Sequence, residues 1–108
     1  MDRKRLARGA VGTGTGTLAY TVPSGYRAKV TDIDIANTTA ADLTVILCLV
    51  PAGDSVAAAN RLMPTMRVPA NKLIQWTGAQ ELSTGDFIQV IGSGAGLTMH
   101  ISGEEGRQ

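Results

Sequence analysis

The chain has 108 residues, 44% of them hydrophobic, 4% aromatic and 18% charged, with a formal net charge of +1. That length suits one domain with one modest core, and the near-neutral balance excludes a protein whose overall field draws in nucleic acid or an anionic membrane. No apolar run approaches the ~20 residues of a membrane-spanning helix, and Gly-Thr repeats stand where a signal peptide would have its apolar core, so the chain reads as cytosolic at synthesis.

Positive charge is concentrated at the start, where Arg3, Lys4, Arg5 and Arg8 are opposed only by Asp2. Residues 9–17 (GAVGTGTGT) offer almost no side chain able to build a core, and such a composition is flexible. Residues 1–17 therefore read as a mobile basic arm, and residues 18–108 as the folded domain.

From residue 18 the chain alternates between strands and turns. Residues 18–22 form a short strand closed by Pro23-Ser24-Gly25, which is turn chemistry. Residues 26–36 follow, with apolar side chains at 26, 28 and 30 and then at 33 and 35. That change of parity requires one extra residue near Thr31-Asp32, a β-bulge, to keep both sets on one face. Residues 37–42 (NTTAAD) connect to residues 43–50, which are apolar at nearly every position, as in a strand covered on both faces. Its second cover would be another subunit or a segment of the same chain folded back. Cys48, the only cysteine, lies inside this run and reads as a buried inert thiol.

Residues 55–60 are either one helical turn capped by Asp54 or a surface loop. Pro64 confines any strand in residues 61–68 to an edge, or breaks it. Residues 72–76 are a strand, 78–84 a connection, 87–91 a strand and 92–96 a turn. Residues 97–102 alternate cleanly, with Leu97, Met99 and Ile101 inward. The whole predicts an all-β, antiparallel β-sandwich, jelly-roll-like, of about seven or eight short strands behind an extended N-terminal arm. Val22-Pro23-Ser24-Gly25 and Val50-Pro51-Ala52-Gly53 echo each other, as two strands ending in the same turn type would.

Catalytic chemistry finds no foothold in these residues. His100 is the only histidine and projects from the outer face of the last strand, so no histidine-based metal cluster is expected. Asp32 and Asp34 share one face, where a solvated sheet surface or a contact to arginine accounts for them better than acid–base chemistry. The GTGTGT stretch lacks the Lys and the helix of a phosphate-binding loop, and neither a nucleophile elbow nor paired cysteines are present. No enzyme activity and no cofactor are expected. The body also lacks a basic stripe with exposed aromatics, so nucleic acid is not expected as the main partner.

One stretch carries a resemblance. Leu18-Ala-Tyr-Thr-Val-Pro-Ser-Gly-Tyr26, then Ala28-Lys-Val-Thr-Asp-Ile-Asp-Ile-Ala-Asn-Thr38, Asn60-Arg61-Leu62 and Glu81-Leu-Ser-Thr-Gly-Asp-Phe-Ile88 resemble small β-sandwich virion proteins of tailed bacteriophages. The resemblance covers about residues 17–105 and implies a structural role: a capsid decoration or cement protein bound to the major capsid protein, or a tail, neck or fibre-base component. It also implies location in the virion after assembly in the host cytoplasm, and association into a homodimer or homotrimer. No membrane contact and no catalytic residue come with it. A carbohydrate- or receptor-binding sandwich is the reading from another class.

The expected working surfaces are the basic arm, with Arg3, Lys4, Arg5 and Arg8, and an apolar surface of Leu43, Val45, Leu47 and Leu49 with the loop residues Leu62, Met63 and Met66. The loop could equally cap the open end of the sandwich.

Overall fold

Period-two alternation of small branched apolar residues gives strands with one buried face. The computed structural model, which describes residues 2–108, contains eight of them. They are β1 (Asp2–Ala10), β2 (Thr17–Thr21), β3 (Tyr26–Asn37), β4 (Leu43–Val50), β5 (Met66–Val68), β6 (Leu73–Leu82), β7 (Phe87–Gly92) and β8 (Leu97–Arg107), with a single 3₁₀ turn at Ala58–Asn60. Two antiparallel four-stranded sheets result, ordered β1-β8-β3-β6 (sheet A) and β2-β7-β4-β5 (sheet B). β1 pairs with β8, β2 with β7, β3 with β6 and β4 with β5, as if one long hairpin had been wrapped around a barrel. That order is a jelly roll.

Aliphatic side chains from both sheets fill the space between them. Val30, Ile33, Ile35 and Ile101 of sheet A and Val45, Leu47, Ile88 and Val90 of sheet B are almost wholly buried. The bulge expected near Thr31 is present: the register of β3 shifts between Val30 and Asp32 against both neighbours, which is what keeps Val30 and Ile33 on the same inner face.

Residues 2–17 do not form a mobile arm. Residues 2–10 are β1, paired along their length with β8, and Leu6 and Val11 enter the core. The Gly-rich stretch that follows is held by its backbone. Val11 N–H donates to Leu97 O (2.9 Å), Gly12 N–H to the Thr17 hydroxyl (2.7 Å) and Gly92 N–H to Gly12 O (2.9 Å). Gly16 has φ +85 and lies so close to Val90 O and Ile91 that no side chain fits there. Its glycine permits a close approach of two backbones, which composition alone reads as flexibility.

β6 and β8 also outrun their expected bounds. Residues 78–82, read as a connection, stay in β6, and β8 continues five residues beyond Ser102. In the sheet, Gly78 and Gly103 accommodate close neighbours. At Gly78 the Trp76 indole takes up the room a side chain would need, and at Gly103 the Lys29 backbone and Leu6 do so.

The echoing Val-Pro-x-Gly segments share one turn. Tyr26 N–H donates to Pro23 O and Asp54 N–H to Pro51 O, both at 3.0 Å, with Gly25 and Gly53 at φ 79 and 81, the type II pattern. Asp86 ties the two together. Its carboxylate accepts from Ala52 N–H (2.9 Å) and Ser83 N–H (2.8 Å), and its carbonyl accepts from Val22 N–H (3.0 Å).

Candidate interaction surface

Sheet A turns its outer face to solvent in four rows set by the register. Across β1, β8, β3 and β6 these read Arg3, Glu104, Lys29, Glu81; then Arg5, Ser102, Asp32, Thr77; then Arg8, His100, Asp34, Gln75; then Ala10, Thr98, Ala36, Leu73. Strict alternation along β1 would send Arg8 to the core side. A second bulge, between Arg5 and Ala7, takes up Leu6 and restores the phase. Arg3, Arg5 and Arg8 consequently stand in one line on the outer face of a free sheet edge, all exposed. None of them forms an ion pair with a carboxylate among the described residues.

Lys4 behaves differently from the arginines. It falls on the opposite face of β1, and its Nζ lies 3.1 Å from Glu105 Oε1. The other carboxylate oxygen of Glu105 accepts a hydrogen bond from the Tyr20 hydroxyl on sheet B. The Tyr20 bond, then Lys4, holds the Glu105 carboxyl below the usual carboxylate range. Burial, then the Glu105 charge, pushes the Tyr20 phenol above its ordinary value. The arm expected to act as one cationic unit is thus divided: three arginines face outward, while the lysine closes one end of the sandwich.

A surface depression between β1 and β8 is lined by Arg3, Lys4, Thr31, Ser102, Gly103 and Glu104. A second, lower on the same pair of strands, has Arg8 and His100 on its walls. His100 is exposed between Arg8 on one side and Asp34 on the other. The Asp32 carboxylate accepts a hydrogen bond from Gln75 Nε2 at 3.4 Å. No group of three or more His, Cys, Asp or Glu side chains is placed to hold a metal ion among the described residues, and no helix there is long and apolar enough to cross a membrane.

The expected apolar surface is corrected by burial. Leu43, Val45, Leu47 and Leu49 are the inward-facing residues of β4: Val45 and Leu47 are 0% exposed, and Leu43 and Leu49 are packed partly buried against the same core. Val45 and Leu47 have no free surface to offer a partner. The opposite face of β4 holds Cys48 and Val50, also 0% exposed, so the second half of the strand is covered on both sides within one chain, while Thr44 and Ile46 on that face are partly buried. Folding back, not a second subunit, provides the cover. Arg61 bridges Cys48 along the strand edge, Leu62 N–H donates to Leu47 O (2.8 Å), and the 3₁₀ turn packs beside them. Burial pushes the Cys48 thiol up. Leu62, Met63 and Met66 are partly buried against the core and cap that side of the sandwich.

Sequence reasoning missed the Tyr20–Glu105–Lys4 cluster, because its members come from β2, β8 and a segment read as unstructured. Asn37 was missed too. It is the one buried polar residue among the described residues, 2% exposed. Its Nδ2 donates to Ala41 O (2.7 Å) and Val68 O (2.9 Å), and its Oδ1 accepts from the Thr39 N–H (2.9 Å) and hydroxyl (2.7 Å).

In comparisons with known proteins, no family model, no curated protein and no solved structure matches this chain.

Proposed function

We propose that this chain is a structural virion protein of a tailed bacteriophage, a capsid decoration or cement subunit that binds the major capsid protein shell through the β1 edge. The observation that carries this reading is the line of Arg3, Arg5 and Arg8, brought to one face by a bulge whose other effect is to seat Leu6 in the core. Three uncompensated guanidinium groups on a rigid strand suit an acidic protein surface, because arginine makes paired hydrogen bonds to carboxylates. The jelly roll supports the reading, since viral shell domains use that architecture, as does the resemblance over residues 17–105. The packing of Tyr20, Tyr26 and Trp76 against the core weighs against a sugar-binding face, which needs exposed aromatics. Binding, self-association and virion location are parts of one proposal, with no catalytic step in it.

Imaging of assembled particles carrying the labelled protein tests it. Copies spread over the capsid lattice, in the hundreds per particle, are expected. A ring of a dozen or fewer at the neck or tail would instead assign a tail or neck component, and absence from the particle would reject the reading.

A further inference from the structure

The four outermost strands differ in how their free edges are protected. β5 is three residues long, flanked by Pro64 and Pro69, and its Arg67 pairs with Asp42. β2 is five residues long, bent by a bulge at Ala19 and followed closely by Pro23. β1 bears four cationic side chains. Short length, proline, bulges and positive charge are the devices that keep sheet edges from pairing with other chains.

β6 lacks all of them over its first half. Leu73-Ile-Gln-Trp-Thr77 contains no charge and no proline, and its register against β3 is unbroken through the five pairs from Ala36↔Leu73 to Asp32↔Thr77. Apolar surface is also left over here. Leu73 is 60% exposed on the outer face, and Ile74 and Trp76 are only partly buried on the inner one. Further along β6, Gln80 shares a depression with Leu62 and Arg61.

We propose that two copies of this chain pair antiparallel through β6, fusing their A sheets into one eight-stranded sheet, with the twofold axis at Gln75. Pairing about that residue sets Ile74 opposite the partner's Trp76, an aromatic–β-branched pair on the inner face, and Leu73 opposite the partner's Thr77 on the outer face. The first is a favourable cross-strand combination. Gln75 meets its own copy, and no like charges meet across residues 73–77. β1 is unsuited to such pairing, because the bulge between Arg5 and Ala7 interrupts its register and self-pairing would crowd the exposed arginines of two copies on one face. A mixed β1–β6 contact is head-to-tail and propagates instead of closing. The pairing gives the self-association in the proposed function a definite edge, yet it is tested on the isolated chain. Its failure would leave attachment through β1 standing.

Sedimentation velocity is expected to show wild-type protein at twice the 11.2 kDa chain mass. Gln75→Lys places two ammonium groups face to face on the axis and should weaken the dimer at least tenfold, with unchanged circular dichroism. Gln75→Cys should give a disulfide-linked dimer on mild oxidation, because directly opposed antiparallel residues lie about 4.5–5.5 Å apart at Cα, within disulfide reach. Arg5→Cys on β1 should not. Cys48 is fully buried and does not compete. A monomeric wild type at millimolar concentration, an assembly that survives Gln75→Lys, or no cross-link in Gln75→Cys would overturn the proposal.

Discussion

The Tyr20 hydroxyl on β2 donates a hydrogen bond to the Glu105 carboxylate on β8, and so joins the two sheets by a polar contact at one end of an otherwise aliphatic core. Glu105 is held on its other side by Lys4 of β1. One carboxylate therefore anchors three strands, including the one that carries the basic edge.

This contact sets how stability responds to pH. The folded-state pKa of Glu105 is lowered, so its contribution is present above the ordinary value of 4.5 and is lost as pH falls through the lower folded value. That of Tyr20 is raised, so its contribution is present below 10.0 and is lost as pH rises above it. Tyr20→Phe should cost about 1–2 kcal/mol at neutral pH and flatten the alkaline limb of a stability profile. Glu105→Gln should flatten the acid limb. Urea unfolding across the pH range checks both, and an unchanged acid limb in Glu105→Gln would remove Glu105 from the account.

Asn37 closes the turn between β3 and β4 and reaches across to β5, with every donor and acceptor of its amide used. Asn37→Ala should cost about 1–3 kcal/mol, because it takes the side-chain donor away from the buried Val68 carbonyl. Asn37→Asp should be worse, since one amide donor becomes an oxygen facing the Ala41 and Val68 carbonyls. Thermal melts of the two variants should rank in that order; the reverse order would contradict this assignment of the amide.

The parts of the fold legible in the sequence were those with a clear pattern of apolar residues. Residues 43–50 coincide with β4, and the parity change between Val30 and Ile33 located a bulge. Alternation fails at β1, where a charged DRKR run precedes a bulge that absorbs Leu6, and the pattern resembles a solvated tail. Glycine misleads for a related reason. Positions 16, 78 and 103 admit close neighbours, a property of the folded contact and not of the local chain. For the same reason the basic residues were legible as a cluster, but not as a line of three arginines set apart from Lys4. Reading residues 43–49 as an apolar docking surface failed because an apolar strand looks the same whether a second subunit or its own chain covers it.

Trp76 is the only tryptophan, and its indole lies over Gly78, where an added Cβ would come within 2.8 Å of the ring. Gly78→Val should push the indole off the β6 surface, at a cost of about 1–3 kcal/mol typical of overpacking. The intrinsic fluorescence maximum should move to longer wavelength. An unshifted maximum with full stability would mean that the ring does not depend on that space.

The basic edge gives the sharpest functional expectation. Arg3, Arg5 and Arg8 are exposed and make no ion pair among the described residues, so replacing all three with Gln should change stability by no more than about 0.5 kcal/mol per site. Lys4→Gln, by contrast, breaks the contact to Glu105 and should lower the melting temperature while leaving the outer face intact. Deleting residues 2–10 is the wrong experiment, because it removes a paired strand, takes Leu6 out of the core and uncovers the edge of β8. If the line of arginines attaches the protein to an acidic shell, the triple variant should lose co-sedimentation with particles, and wild-type binding should weaken steeply as salt rises, since exposed charge interactions are screened over about 10 Å at 0.1 M. Lys4→Gln should bind nearly as wild type does under conditions where it is folded. Undiminished particle binding by the triple variant would rule out β1 as the attachment edge.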